Sequence, residues 1–337
     1  MAFAHLGFIH LVPFARDAPR AGFEDAIDLF RFADELGLDS GWLRTRHMQY
    51  GVPSSAVLFG ALARETTHLG LGNAVIPVEF ENPFRLAEDL ATADVLTGGR
   101  VLPGLSVHPP RYEEATNDLV FDTGWREEDY GYGRIERLRS LLRGEPVREL
   151  EAYSGFGGDF DSERVEPHSE GLAERLWYGG GSLKSAAWAG EAGLNWLVSN
   201  ISSSENGVTN FSAAQRNQID AYRAAGGSRV TVARVIVPTD GATDAQVEKY
   251  RAYAEGRNPR TEGIVGRNTI IAKDVLGSLD DILEFVANDA AIQAADDLLF
   301  ELPFEMELAD WKQMLEQLAT RVGPALGWSP KREVAGG

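Results

Sequence analysis

The sequence is constrained most by an alternation, repeated eight times, between a short apolar β-rich run and a helical pattern. The first unit pairs FAHLGFIHL with FEDAIDLFRFADELG, and the last pairs DLLFELP with LADWKQMLEQLATRV. Because parallel strands need long crossover connections, usually helices, this alternation predicts an α/β fold. Eight units predict a (β/α)8 TIM barrel formed by one domain, residues 1–330, with a tail at residues 331–337. A doubly wound open sheet is the alternative architecture.

Two connections in this pattern are longer than the others. One covers residues 107–130 after the fourth strand, and the other covers residues 145–173 after the fourth helix. The loops that follow the strands of a TIM barrel form its active-site face. Residues 107–130 are therefore a candidate lid over a site at that face.

Charge and composition exclude several classes of function. The chain carries 51 acidic and 32 basic residues, a net charge of −19, without a basic block, so nucleic acid is not an expected partner. No run approaches the roughly 18 apolar residues of a membrane span, and the amino terminus lacks the basic start of a secretory signal. We therefore expect a cytoplasmic protein without a membrane partner. Cysteine is absent and the six histidines form no helical pair at metal-ligand spacing, so no catalytic metal is expected.

The stretch WYGGGSLKSAAWAG, residues 177–190, places three glycines and a serine directly before a small-residue helix. Glycine lets a backbone approach a ligand closely, and the first N–H groups of a helix have no partner within it. This geometry suits an anion such as phosphate. The stretch fits neither the Walker nor the dinucleotide pattern, because Leu183 and Lys184 stand where those motifs need glycine. A glycine-rich turn with Ser182 as an ordinary N-cap is the alternative interpretation.

Three segments together resemble the bacterial luciferase-like flavin monooxygenases. The first is LGLDSGWLRTRHM, through the second strand, and the third is the glycine-rich stretch, including its Trp188-Ala189 pair. The second and most specific is LGLGNAVIPVEFENPFRLAEDLATADVLTGGRVLPGLSV, which is similar to the family's third strand, Pro-Phe-Arg helix start and Gly-Gly-Arg turn without a gap. With DLLFELPF and the closing PALGW, the resemblance covers nearly the whole chain.

The resemblance implies the positions of an FMN cofactor. The family's phosphate site corresponds to four residues before and within the small-residue helix: Gly180, Gly181, Ser182 and Ser185. It also implies that Ala74 and Val75 lie under the flavin ring through a non-proline cis peptide bond, and that Ser106 faces the ring. Plain strand core is the alternative for Ala74 and Val75, and a buried serine bonded to backbone is the alternative for Ser106.

The second strand departs from the luciferase pattern, in which it ends in Glu-His-His. Here the corresponding residues are Thr45, Arg46 and His47. Arginine stays protonated, so Arg46 cannot act as a general base, though it could stabilise an oxyanion or a flavin peroxide. His47 matches the second histidine and is a candidate for proton transfer, with a structural histidine as the alternative.

Other positions near the expected flavin are also informative. A basic residue often found just after the fourth strand in luciferases is replaced by Val107, so phosphate neutralisation would rely on backbone amides and Lys184. His108 and His10 end strands on the face expected to meet the flavin, and are further candidates. A solvent contact is the alternative for each.

The resemblance implies an enzyme that uses reduced FMN and O2 to oxygenate a small organic substrate beneath the 107–130 loop. It implies that a separate flavin reductase supplies the reduced cofactor, and that barrels form a homodimer or heterodimer through helices two and three. Two alternatives remain open. One is an F420-dependent hydride-transfer oxidoreductase, and the other is a non-catalytic flavin-binding protein or partner subunit, which the Arg46 substitution keeps possible.

Overall fold

A computed structural model of the protein describes residues 3–147, 161–261 and 263–330. The expected alternation of strands and helices is present. The strands are β1 (His5–His10), β2 (Ser40–Leu43), β3 (Gly70–Asn73), β4 (Ile76–Pro77), β5 (Val101–Leu102), β6 (Gly104–Ser106), β7 (Trp177–Gly179), β8 (Asn195–Val198), β9 (Ile201–Ser203), β10 (Val230–Arg234), β11 (Ile236–Pro238), β12 (Thr269–Ile271), β13 (Val275–Gly277) and β14 (Asp297–Glu301).

The helices cover the outside of the sheet. They are α1 (Pro19–Glu35), α2 (Ser55–Glu65), α3 (Pro83–Thr97), α4 (Glu114–Val120), α5 (Tyr132–Leu142), α6 (Leu183–Glu191), α7 (Phe211–Ala224), α8 (Asp244–Arg257), α9 (Leu279–Asn288), α10 (Leu308–Gln317) and α11 (Gly323–Ala325). A π-helical turn, Leu318–Val322, joins the last two. None of the helices in the described part is long and apolar enough to cross a bilayer.

Ten of these strand segments form one parallel sheet that closes on itself as an eight-stranded barrel. Segments β3 and β4 are two halves of the third barrel strand, and β5 and β6 are two halves of the fourth. Segment β3 pairs with β5 and β4 pairs with β6, while β14 pairs with β1 and closes the barrel. All of the pairings in this sheet are parallel. The predicted TIM barrel is confirmed, and the open sheet is not what forms.

Local sequence explains where α3 begins and ends. The Asn82 side chain accepts hydrogen bonds from the amides of Phe84, at 2.9 Å, and Arg85, at 3.3 Å, while Pro83 occupies the first helical position. Gly98 follows the helix with φ +70°, a left-handed conformation that suits glycine. The Pro-Phe-Arg and Gly-Gly-Arg motifs are thus the two ends of one helix.

Side-chain alternation along the strands divides the core into two parts. The inner cluster consists of Ile9, Trp42, Trp177, Leu197, Ala233 and Leu299. The larger outer cluster packs the opposite strand faces against the helices and includes Phe8, which contacts Phe30 of α1 at 4.9 Å between ring centroids. Successive residues of a strand point to opposite faces, so a shift of one residue moves a side chain between the two clusters.

The two long connections differ in how much of them the structure describes. Residues 107–130 include α4 and a short 3-10 helix at Trp125–Glu127. Phe121 of this segment stacks on Phe80, which follows β4, with 5.4 Å between ring centroids. The 107–130 segment therefore packs at the carboxyl end of the strands. Part of the 145–173 connection, residues 148–160, lies outside the described residues, as does the proposed tail at 331–337.

Polar side chains at the amino ends of the strands each make several hydrogen bonds. Asp34, at the end of α1, accepts hydrogen bonds from the amides of Thr67, His68 and Leu69 at 2.7–3.0 Å. Arg100, in the turn before β5, donates to the carbonyls of Thr66, Leu69 and Thr97. These bonds tie α1, the α2–β3 turn and the α3–β5 turn together at what we call the lower end of the barrel.

Candidate active site

Two joined cavities open at the carboxyl ends of the barrel strands, which we call the upper end. The strand-3 cavity, of about 250 Å³, is lined by residues that include Ala74, Val75, Ser106, Gly179, Gly180 and Leu197. The arginine cavity, of about 290 Å³, is lined by residues that include Leu11, Arg257, Arg260, Ile271, Leu302 and Phe304. Both cavities share a wall made by Ile9, Arg44, Arg46, Ile201 and Glu301. Active sites of TIM barrels lie at this end.

The wall of the strand-3 cavity is formed where the third barrel strand is interrupted. The peptide bond between Ala74 and Val75 is cis, as the resemblance predicted. A Cβ on Gly179 would lie 2.5 Å from Val75 Cγ1, so glycine there lets β7, the fifth barrel strand, approach Val75 closely. Val75, Ile9 and Leu197 give the cavity an apolar surface.

The start of α6 is built as a capping box. Ser182 Oγ accepts the amide of Ser185 at 3.2 Å, and Ser185 Oγ accepts the amide of Ser182 at 3.2 Å. A Cβ on Gly180 would lie 2.6 Å from the Trp196 ring and 2.7 Å from Ser185 Oγ. The four residues expected at a phosphate site are therefore brought together, and Gly180 also lines the strand-3 cavity.

A carboxylate already occupies part of this helix start. Glu205 Oε2 accepts the amide of Leu183 at 2.7 Å. The amide of Gly180 donates to the carbonyl of Leu197 at 3.3 Å. An anion entering here would meet fewer available amides than the sequence predicted, and would meet the negative charge of Glu205.

Three arginines surround the strand-3 cavity. Arg44 pairs with Glu301, and Arg111 Nη2 lies 3.3 Å from Glu79 Oε1. Arg46 is half-buried, and among the described residues its guanidinium makes no hydrogen bond or ion pair within 4 Å. Burial, followed by repulsion from Arg44, lowers the pKa of Arg46, although Glu301 acts in the opposite direction. Its charge is retained, because arginine has a very high reference pKa.

The structure places the three candidate histidines outside both cavities. His10 is 1% exposed and packs on Trp311 of α10 with 4.5 Å between ring centroids. Its neighbour Ile9 lines the cavities, so strand alternation turns His10 outward, and the expectation that it faces the site is corrected. Burial lowers the pKa of His10 to about 3.

His47 and His108 flank the site without lining it. His47 stacks on Phe80 at 4.3 Å, and burial lowers its pKa. His108 is exposed and its Nδ1 lies 2.7 Å from the carbonyl oxygen of Pro109. It lines a separate open pocket together with Lys184. The strand-end position predicted both residues near the upper end, but it did not predict which way their rings point.

Several residues of the site were not predicted from the sequence. Arg44 directly follows β2 and Glu301 is the last residue of β14, and polar residues at strand ends are the signal that could have identified them. Luciferases often have a basic residue at the position of Val107. Here Arg111, four residues later, supplies a positive charge to the cavity. Glu205 lies in an ordinary-looking polar loop, and no sequence signal marks its contact with α6.

The family assignment follows from a comparison with protein-family models. The model described as luciferase-like monooxygenase matches residues 5–335. The chain belongs to this family. A curated protein of Escherichia coli K12 described as a luciferase-like monooxygenase is 28% identical over 186 residues, which cover 52% of this chain and 49% of that protein. The chain thus spans about half the length of that relative. The oxygenase component of the flavin-dependent trigonelline monooxygenase of Acinetobacter baylyi is 28% identical over 25% of this chain and 24% of its own length.

Solved structures of an FMN-containing monooxygenase and of an F420-dependent dehydrogenase share the fold. The oxygenating constituent of 3,6-diketocamphane monooxygenase from Pseudomonas putida, in complex with FMN, superposes with a TM-score of 0.65 and 17% identity, over 98% of this chain and all of that one. An F420-dependent secondary alcohol dehydrogenase superposes with a TM-score of 0.62 and 15% identity, over 95% of this chain and all of that one. At these identities the likeness supports the barrel fold and leaves the cofactor of this luciferase-like chain open.

Proposed function

We propose that this luciferase-like protein binds FMN in the strand-3 cavity and uses reduced FMN with O2 to oxygenate a small organic substrate. The observation that carries the proposal is the interrupted third strand. Ala74, Val75 and Ser106 form one wall of a cavity that is lined by both apolar and charged residues and also contains Gly180, beside the capped start of α6. A flat ring on this wall and a phosphate at the helix start would occupy one continuous site.

The residues present fit FMN, with one condition. Val75, Ile9 and Leu197 offer apolar surface to a ring, and Gly180 lines the cavity with backbone alone. A phosphate at α6 would gain from the helix N-terminus. The condition is that the Glu205 carboxylate leaves the Leu183 amide, because two anions cannot share that position without strong repulsion.

Within this proposal FMN supplies the redox chemistry, and the chain positions and shields the reactants. Arg46 presents a fixed positive charge to both cavities, which would attract a negatively charged group of a reactant. The 107–130 segment would exclude water, with Phe121 on Phe80 as its anchor. His47, which stacks on that same Phe80, is the nearest candidate for proton transfer.

We also propose two protein partners. The relationship to an oxygenase component favours a separate flavin reductase as the source of reduced FMN. A second barrel would pack on α2 and α3, where Val57 is 76% exposed, Leu96 is 61% exposed and Val95 is 53% exposed. A Cβ on Gly60 of α2 has no heavy atom within 4 Å, so a helix from another copy could approach there.

F420 is the second candidate cofactor. A structural relative depends on F420. The arginines of the neighbouring cavity also favour this cofactor, because F420 carries an acidic tail that they could bind. With F420 the same cavity would support hydride transfer without O2.

A titration of the purified protein tests the proposal. Oxidised FMN, dithionite-reduced FMN and reduced F420 are each added while flavin or protein fluorescence is followed. We expect reduced FMN to bind most tightly. Tighter binding of F420 would replace the proposed cofactor, and no binding of either would overturn the enzyme assignment.

A further inference from the structure

The arginine cavity combines positive charge with an apolar surface. Four arginines contribute to its lining: Arg44, Arg46, Arg257 and Arg260. The same lining includes the apolar residues Leu11, Ile271, Leu302 and Phe304. The whole chain has a net charge of −19, so this upper cavity has the opposite sign to the rest of the molecule. A local charge of this kind attracts anions and repels cations.

Two of the four arginines are already neutralised by carboxylates. Arg44 pairs with Glu301, which also accepts a hydrogen bond from Asn200 Nδ2 at 2.5 Å. Arg257 Nε lies 2.6 Å from Oδ2 of Asp274, a carboxylate that is 7% exposed. The negative charges on this wall are therefore used within the protein.

Arg46 and Arg260 have no such partner in the part of the chain that the structure describes. Arg260 is exposed to solvent, whereas Arg46 is half-buried between the two cavities. Taking a charged group out of water costs free energy unless a hydrogen-bonded counter-charge replaces the lost water. Arg44 and Arg111 add repulsion, which lowers the pKa of Arg46. An anion beside Arg46 would replace the lost water as a hydrogen-bond partner and would offset the repulsion from Arg44 and Arg111.

The shape of the guanidinium restricts the kind of anion. Its planar N–H groups match a carboxylate in a bidentate arrangement. The apolar residues of the same cavity suit the body of an organic molecule and not a free inorganic ion. The cavity of about 290 Å³ is at the small end of ligand pockets.

We propose that the substrate is a small organic acid, whose carboxylate binds Arg46 and whose apolar body lies along Leu11, Ile271 and Leu302. The inference rests on the proposed function in one respect: the strand-3 cavity, on the other side of Arg46, holds the cofactor. Arg46 is then the residue that selects for an anionic substrate. The same position in the luciferase pattern is a histidine, so this chain would differ from the luciferases in substrate charge.

The test compares acids with uncharged molecules of the same shape. Flavin-free protein is titrated by calorimetry with benzoate and benzamide, and with hexanoate and hexanamide. We expect each acid to bind at least about tenfold more tightly than its amide, with an affinity that falls as salt rises. Equal affinities within the pairs, or no binding of either acid at millimolar concentration, would overturn the proposal.

Variants identify the arginine that is responsible. Arg46→Met should weaken acid binding about tenfold or more and leave amide binding unchanged, while Arg46→Lys should recover part of the loss because it restores charge without the bidentate geometry. Arg20→Met is the matched control, because Arg20 is 90% exposed on α1, and it should change neither affinity. Equal effects of Arg46→Met on acid and amide would indicate a packing role and overturn the assignment.

Separate titrations with FMN and F420 distinguish this proposal from the proposed function. If FMN binds with equal affinity to Arg46→Met and the unaltered protein, Arg46 serves the substrate, as proposed. A loss of FMN or F420 binding as large as the loss of acid binding would assign Arg46 to the cofactor and overturn the inference. Retained acid binding without any flavin binding would overturn the flavin proposal alone.

Discussion

Arg100 at the lower end of the barrel and Arg46 at the upper end are both half-buried, yet their surroundings differ completely. Arg100 Nη1 donates to the carbonyl of Leu69 at 2.7 Å and to Thr66 Oγ1 at 2.9 Å, and its other nitrogens reach the carbonyls of Thr66 and Thr97. Arg46 has no such bond among the described residues. Arg100 thus uses its charge to hold the fold together, whereas the charge of Arg46 is the one that we propose for a ligand.

The largest expected effect comes from removing each arginine in turn. Arg100→Met leaves several carbonyls without a donor, and we expect it to lower the free energy of unfolding by about 3 kcal/mol. Arg46→Met removes no internal bond and relieves repulsion, so we expect a change within about 0.5 kcal/mol. Denaturant unfolding of both variants measures the difference. Similar losses from the two substitutions would contradict the comparison.

The second prediction concerns His10, the last residue of β1, and the pH dependence of the free energy of unfolding. Burial lowers the pKa of His10 to about 3, so the folded protein holds this histidine neutral. Its contribution is fully present above the unfolded pKa of about 6.5 and is lost as pH falls towards the folded pKa, at up to about 1.4 kcal/mol per pH unit. Unfolding curves from pH 7 to 4.5 should therefore fall more steeply for the unaltered protein than for His10→Gln. Equal slopes would show that His10 titrates normally.

Much of this architecture could be predicted from the sequence because it depends on local signals. The eight strand and helix patterns, the Asn82-Pro83 helix start and the capping serine at 182 are each set by neighbouring residues. The cis bond at Ala74–Val75 was predicted from the family resemblance. The contacts that decide charge at the site join distant parts of the chain: Arg44 and Glu301 are 257 residues apart, and Leu183 and Glu205 are 22 apart. No local pattern specifies such pairs.

The histidines illustrate a second limit of sequence interpretation. His10, His47 and His108 all lie near strand ends, as expected, yet none lines either cavity. A strand turns successive side chains to opposite faces, so an uncertainty of one residue in a strand boundary reverses the predicted direction. The connection between β10 and β14 holds two helices, α8 and α9, where the eightfold pattern counts one.

The third prediction tests the helix start at the upper end. Gly180→Ala would place a Cβ 2.6 Å from the Trp196 ring, and we expect FMN affinity to fall about tenfold, or about 1.4 kcal/mol. Gly256→Ala on α8 is the matched control, because a Cβ there has no heavy atom within 4 Å. It should leave FMN affinity unchanged and raise stability by about 0.5–1 kcal/mol. A Gly180→Ala variant that binds FMN normally would move the cofactor away from α6.

The smallest expected effect concerns Glu205. Glu205→Gln keeps the size of the side chain and an oxygen that can accept the Leu183 amide, but it removes the negative charge that opposes a phosphate. We expect FMN to bind about threefold to tenfold more tightly. Glu191→Gln, at the other end of α6, is the control and should have no such effect. Weaker FMN binding by Glu205→Gln would indicate that Glu205 supports the cofactor.

A crystal structure of the protein with FMN is the most direct test of the account. We predict that the flavin ring lies against Ala74–Val75 and that the phosphate lies at the start of α6. In that complex Glu205 should have turned away from the Leu183 amide, and Arg46 should remain free of the phosphate. A flavin bound elsewhere, or a phosphate held by Arg46, would contradict the division between a cofactor cavity and a substrate cavity.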